Sequence, residues 1–74
     1  MLTISEGDTI EACGTKYVIC KIFNEESMMC YEYVIKNGEW QEAYSAPTLV
    51  SKKELEARLT EHHQEQVTVE FLTK

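Results

Sequence analysis

Apolar and polar positions alternate through most of this chain, and turn residues break the alternation at short intervals. Glu6-Gly7-Asp8 is a turn signal, and Thr9-Ile10-Glu11-Ala12-Cys13 after it reads as a strand. Gly14-Thr15 places glycine in the first central position that a type II′ hairpin prefers. Lys16–Phe23, rich in β-branched and aromatic residues, then returns beside the first strand. That turn pairs Cys13 with Lys16, Ala12 with Tyr17, Ile10 with Ile19 and Asp8 with Lys21, so Ile10, Ala12, Tyr17 and Ile19 share a face with an ion pair at its open end. Val18, Cys20 and Ile22 oppose Tyr17, Ile19 and Phe23, and a strand apolar on both sides is expected to be central and covered on both faces.

Asn24-Glu25-Glu26-Ser27 is polar and reads as a loop. A strand resumes at Met28-Met29-Cys30-Tyr31-Glu32-Tyr33-Val34-Ile35, followed by Asn37-Gly38, the residue pair that best suits the two positive φ angles of a type I′ turn. The turn sets the register: Lys36 with Glu39, Ile35 with Trp40, Val34 with Gln41, Tyr33 with Glu42 and Tyr31 with Tyr44. Met29, Tyr31, Tyr33, Ile35, Trp40 and Tyr44 share one face. Cys30, Glu32, Val34, Gln41 and Ala43 form the other, a milder mixture expected to meet solvent.

Pro47 lacks an amide hydrogen and ends the ladder after Ser45-Ala46. Ser51 and Glu54 fit a capping box, with Val50 and Leu55 as its hydrophobic staple, so a helix of about three turns is predicted from Lys52. Leu55 and Leu59, with Ala57 or His62, give it a narrow apolar stripe, and Glu54 precedes Arg58 by four, the favoured order for a helical ion pair. Gln66–Leu72 alternates strictly and predicts a last strand with Val67, Val69 and Phe71 on one face. The order is β-β-β-β-α-β, an α+β domain with a small antiparallel sheet of about five strands, flat or curled into a partly open barrel, and one short helix. In turn spacing and helix placement it resembles the small barrels of the Src-homology type, a resemblance of pattern that carries no diagnostic motif and implies no activity.

Composition narrows the functional classes. At 74 residues the chain is one small domain, and 43% apolar residues suffice for a core. Three cysteines, Cys13, Cys20 and Cys30, cannot all pair within one chain, and the amino end MLTISEGDTI is polar and does not read as a secretory leader, so a reducing cytoplasm is expected. No apolar run has the length to span a bilayer, so no membrane is expected as a partner. The net charge of −6 repels phosphate backbones and argues against direct nucleic-acid binding. Residues 1–46 hold eight acids against three lysines, whereas residues 47–74 hold five acids against four bases, so the negative charge concentrates on the sheet half.

Candidate chemistry is sparse. The cysteines are separated by six and nine residues, with no close metal-binding pair. A zinc site from Cys20, Cys30 and His62 or His63 is weighed against buried cysteine acting as a small hydrophobe. A Cys–His dyad would need His62 or His63 to reach a thiol, and a cationic imidazole at a helix carboxyl end has a purely electrostatic reason to be there. No nucleophile elbow or glycine-rich phosphate loop is present. No cofactor is expected, and no catalytic or metal-ligating residue is assigned.

The aromatic row Tyr31, Tyr33, Trp40 and Tyr44 is expected to pack as core or against the helix, with part of it reaching the surface because one short helix cannot cover five strands. Exposed rings ringed by polar groups make a partner site, assigned to Glu32, Tyr33, Glu39, Trp40 and Glu42. The expected function is that of a non-enzymatic interaction or regulatory protein that binds another protein through this acidic, aromatic sheet surface, with a homodimer as the simplest partnership. The first alternative is an inhibitor of phage or mobile-element type, whose spaced carboxylates imitate nucleic acid and occupy the basic groove of a DNA- or RNA-handling enzyme. The second is a zinc- or thiol-dependent small protein.

Overall fold

Asn37 and Gly38 take φ of 52° and 80°, the positive pair a type I′ turn requires. In the computed structural model, which describes residues 1–73, the elements in chain order are β1 (Leu2–Ile4), β2 (Thr9–Ala12), β3 (Thr15–Ile22), β4 (Ser27–Lys36), β5 (Glu39–Glu42), β6 (Thr48–Ser51), α1 (Lys52–His63) and β7 (Val69–Phe71). β4 and β5 pair in the predicted register from Lys36–Glu39 to Tyr33–Glu42. β5 stops there, so Tyr44 lies in a bend and the expected Tyr31–Tyr44 pair does not form.

The first hairpin turns one residue earlier than predicted. Cys13 and Gly14 are its central residues, at φ 52° and 75°, and Ala12 pairs with Thr15, Glu11 with Lys16, Ile10 with Tyr17 and Thr9 with Val18. A type I′ turn matches the right-handed twist of its strands, and Gly14 serves it in the second position. Each residue of β2 thus meets a partner two places away from the expected one, which leaves the faces unchanged. Ala12, Tyr17 and Ile19 are buried, and Ile10 packs beside them. The expected Asp8–Lys21 pairing is replaced: the Asp8 carbonyl accepts from the Ile19 amide at 2.9 Å, and its carboxylate accepts from the Ser5 amide at 2.8 Å.

β3 carries a bulge between Ile19 and Lys21. Cys20 is the extra residue, and its insertion resets the phase of alternation. Ile22 therefore joins Tyr17 and Ile19 on the core side, opposite buried Met28, while Val18 is half-buried on the other side and Cys20 and Lys21 are exposed. β3 is central, between β2 and β4, but it is covered on one face only, contrary to the two-sided burial expected from its composition.

β4 is long enough to pair with two short strands along one edge, β6 against Ser27–Cys30 and β5 against Tyr33–Lys36. The five-stranded sheet is antiparallel and open, with the order β2-β3-β4-β5 and β6 beside β4, and does not close into a barrel. β1 and β7 form a separate two-stranded parallel sheet, with Leu2 opposite Val69, Thr3 opposite Glu70 and Ile4 opposite Phe71. β1 and β6 have no counterpart in the predicted order. The last strand appears as expected, with Val69 and Phe71 buried and Val67 packed against the core.

The Ser51 hydroxyl accepts from the Glu54 amide at 3.1 Å and starts α1 as predicted, and Gln64 ends it in a left-handed conformation. Leu55 and Leu59 face inward and join Ile4, Val69 and Phe71 over one side of the sheet, where Tyr17, Ile19, Met28, Cys30 and Val50 complete the core. The molecule is a slab of 36 × 28 × 15 Å, two layers thick.

This layering reverses the expected sides of β4. Met28 and Cys30 are fully buried under the helix layer, whereas Tyr31, Ile35 and Tyr44 are 38%, 52% and 58% exposed. The neighbouring strand accounts for the reversal. Ile19 stands opposite Cys30, and Tyr17 opposite Glu32, so once Ile10, Ala12, Tyr17 and Ile19 set the core side, β4 must turn its aromatic side away.

Candidate functional site

The side of the sheet away from the helix is assembled strand by strand from cross-strand pairs, whose Cβ atoms stand about 5 Å apart. Val18 of β3 meets Tyr31 of β4, and Lys16 meets Tyr33. Ile35 meets Trp40 of β5, and Met29 meets Leu49 of β6. The result is a continuous apolar strip along β4, in which Leu49 is 68% exposed and Met29, Val18, Tyr33 and Trp40 are half-buried. The Lys16 ammonium lies 4.8 Å from the centre of the Trp40 ring and 5.3 Å from that of Tyr33. Each such contact is worth about 0.5–1 kcal/mol at an exposed site and orients both rings.

Charge on this face is balanced. Glu11 pairs with Lys16 across β2 and β3, Glu42 pairs with Tyr33, and Lys21 pairs with Met29, so two carboxylates face two ammonium groups. The other described carboxylates lie elsewhere: Glu6 and Asp8 before β2, Glu25 and Glu26 in the β3–β4 loop, Glu32 and Glu39 on the helix side of β4 and β5, Glu54, Glu56 and Glu61 on the helix, Glu65 after it and Glu70 on β7.

Of the residues assigned from sequence, Tyr33, Trp40 and Glu42 come together here. Glu39 is exposed at the hairpin tip, opposite Lys36 and on the other side of the ribbon. Glu32 also lies on the helix side, half-buried, where its carboxylate accepts from the Thr48 hydroxyl at 2.6 Å. Lys16, Ile35 and Leu49 were missed. Lys16 and Leu49 enter only through the β3–β4 and β4–β6 registers, which no turn dipeptide specifies. Ile35 was legible from the Asn37-Gly38 turn once its side was known to face outward.

The zinc combination is not assembled. The Cys13 amide donates to His62 Nδ1 at 3.0 Å, and its thiol donates to the Arg58 carbonyl at 3.8 Å, so the helix end docks on the tip of the first hairpin. Cys20 lies at the far end of β3, five residues and roughly 17 Å beyond Thr15, with its thiol donating to the Met29 carbonyl at 3.2 Å. Cys30 is fully buried; burial foremost, with the nearby Glu32 carboxylate, pushes its thiol up to about 11 against the lowering effect of the Thr48 hydroxyl. Among the described residues no group of three or more His, Cys, Asp or Glu side chains can hold a metal ion. Cys13 and His62 meet on the surface, but the contact to the imidazole is made by the Cys13 backbone amide and not by its thiol. A groove of about 400 Å³ between Phe23 and Leu72, also lined by Ser5, Glu6, Lys21 and Ile22, presents no thiol or imidazole.

Among the described residues one buried side-chain polar group has no hydrogen-bond partner. The Tyr17 hydroxyl is enclosed without a hydrogen bond, and its pKa is raised to about 12, by burial foremost, with Glu32 adding to the rise and Arg58 opposing it. Among the described residues no helix is long and apolar enough to cross a membrane. Comparison with protein-family models, curated proteins and solved structures finds no match for this chain.

Proposed function

We propose that this protein is a non-enzymatic interaction module that binds another protein through the open face of its sheet. The observation carrying the proposal is the outward side of β4, where Tyr31, Ile35 and Leu49 are exposed in one strip with the half-buried Tyr33 and Trp40. Contiguous exposed apolar surface with aromatic anchors and a polar rim is the composition of a binding patch. A rigid sheet presents it without ordering a loop, which lowers the entropic cost of association. The balanced charge makes apolar burial, not acidity, the expected driving force, and this departs from the acidic surface read from composition.

The nucleic-acid-mimic alternative is less favoured, because it needs a row of carboxylates on one face and the sheet face holds Glu11 and Glu42 beside Lys16 and Lys21. The two readings separate by salt. Affinity capture from a lysate at low and high ionic strength, with the wild-type chain and an Ile35→Glu variant, is expected to recover a partner that tolerates salt and is lost in the variant. Capture of a DNA- or RNA-handling enzyme that salt abolishes and Ile35→Glu leaves intact would refute the proposal.

A further inference from the structure

We infer that the outer edge of β7 at Phe71 is a docking site for an extended peptide segment that carries a basic side chain. The site belongs to the small parallel sheet and does not rest on the open aromatic face. The Leu2 amide donates to the Thr68 carbonyl at 2.9 Å, and the Leu72 amide donates to the Ile4 carbonyl at 2.8 Å. In the register from Leu2–Val69 to Ile4–Phe71, these two bonds direct the backbone groups of Thr68, Glu70 and Leu72 towards β1. Those of Val69 and Phe71 therefore point away from it.

The helix covers this outer edge rung by rung. The Thr60 hydroxyl accepts from the Val67 amide at 3.0 Å, and the Glu56 carboxylate accepts from the Val69 amide at 2.7 Å. Four helical residues rise about 6 Å and two strand residues about 6.6 Å, so the two elements stay in step. Lys52 is next in the series, and with Phe71 it lines a second groove, of about 380 Å³. A lysine has no acceptor to offer. Among the described residues the Phe71 amide has no hydrogen-bond acceptor, and Phe71, 3% exposed, forms the floor of the groove.

The occupant follows from what this rung lacks. The Phe71 amide calls for an acceptor and the Phe71 carbonyl for a donor, and an extended peptide supplies both, as an added strand does. Glu25 and Glu70 also line the groove and outnumber Lys52, so an anion is repelled and a cationic side chain on the peptide is favoured. The Lys52 amide donates to the Glu26 carbonyl at 2.8 Å, which ties the loop bearing Glu25 to the start of the helix and holds the groove in shape.

Amide hydrogen exchange and an NMR titration with the end-capped peptide Thr-Val-Lys-Val-Thr test this. In the free chain the Phe71 amide should exchange at least about 10-fold faster than the Glu70 and Leu72 amides, which β1 holds. Millimolar peptide should move the Phe71 amide resonance and slow its exchange, and the same peptide N-methylated at both valines should do neither. Thr-Val-Glu-Val-Thr should bind at least about 10-fold more weakly, and Glu70→Lys should weaken the lysine peptide to a similar degree while leaving the circular dichroism unchanged. A Phe71 amide as protected in the free chain as those of Glu70 and Leu72 overturns the inference, because the edge would already be paired. So does a Phe71 resonance that the lysine peptide leaves in place, or that sodium acetate moves instead, and so does a glutamate peptide that binds as tightly.

Discussion

Replacing Tyr17 by Phe should stabilise the protein, although the same change in a well-bonded core usually destabilises. The Tyr17 side chain is 1% exposed, and its hydroxyl is enclosed with no hydrogen-bond partner. Burying a hydroxyl without compensation costs about 1–3 kcal/mol in proteins. Phenylalanine keeps the ring and leaves a void of one oxygen atom, which returns a few tenths of a kcal/mol. The net gain is about 1 kcal/mol, or roughly 4–8 °C in Tm for a domain of this size. Alkaline pH sharpens the test. The Tyr17 pKa is raised from 10.0 to about 12 in the folded state, so the unfolded chain ionises first and stability falls as pH climbs from 10 to 12, by up to about 3 kcal/mol. Tyr17→Phe removes that contribution, and its advantage should widen above pH 10. Urea unfolding at pH 7 and pH 10.5 measures both. A loss of stability at pH 7 would refute the reasoning, because the hydroxyl would then have a partner.

Three further substitutions or reactions probe the fold. Cys13→Asn places in the first hairpin the Asn-Gly pair that already serves the second, and because Cys13 now holds a left-handed φ of 52°, thermal unfolding should show a gain of about 0.5–1 kcal/mol. Ser51→Ala removes the acceptor of the Glu54 amide and should cost about 1 kcal/mol in denaturant unfolding. In thiol titration Cys13 and Cys20, both exposed, should react at once, and buried Cys30 only after unfolding. While it is buried, its thiol is also pushed up to about 11, which keeps the reactive thiolate scarce at pH 8. Three equally fast thiols in the native protein would contradict the placement of β4.

What the sequence made legible followed from local chemistry. Asn37-Gly38 dictated a turn and hence a register, and Ser51 with Glu54 dictated a helix start; each rests on backbone demands that a few residue types satisfy. The first turn was misplaced because both Gly14-Thr15 and Cys13-Gly14 satisfy a two-residue hairpin, types II′ and I′ alike matching the strand twist, and the chain adopts the one that puts a cysteine in a left-handed conformation. The bulge at Cys20 left no signal, since Cys20-Lys21-Ile22 alternates as well with the insertion as without it. The side of β4 that faces the core was the most consequential reading to fail. Tyr31, Tyr33 and Ile35 are more apolar than Cys30, Glu32 and Val34, so β4 alone favours burying its rings. β3 outweighs it, because Tyr17 and Ile19, with Ile10 and Ala12 from β2, commit the shared face first. For the same reason the candidate site was half legible: Tyr33, Trp40 and Glu42 share the open face, whereas Glu32 follows Tyr17 to the other side.

The most direct test is the set of nuclear Overhauser contacts made by the Leu55 and Leu59 methyl groups. Contacts to Tyr17, Ile19 and Met28, with none to the rings of Tyr31 or Tyr33 or the methyls of Ile35, are what a sheet with an open aromatic side requires. Contacts from Leu55 or Leu59 to Tyr31, Tyr33 or Ile35 would mean that the helix covers the proposed binding face, and would contradict the account.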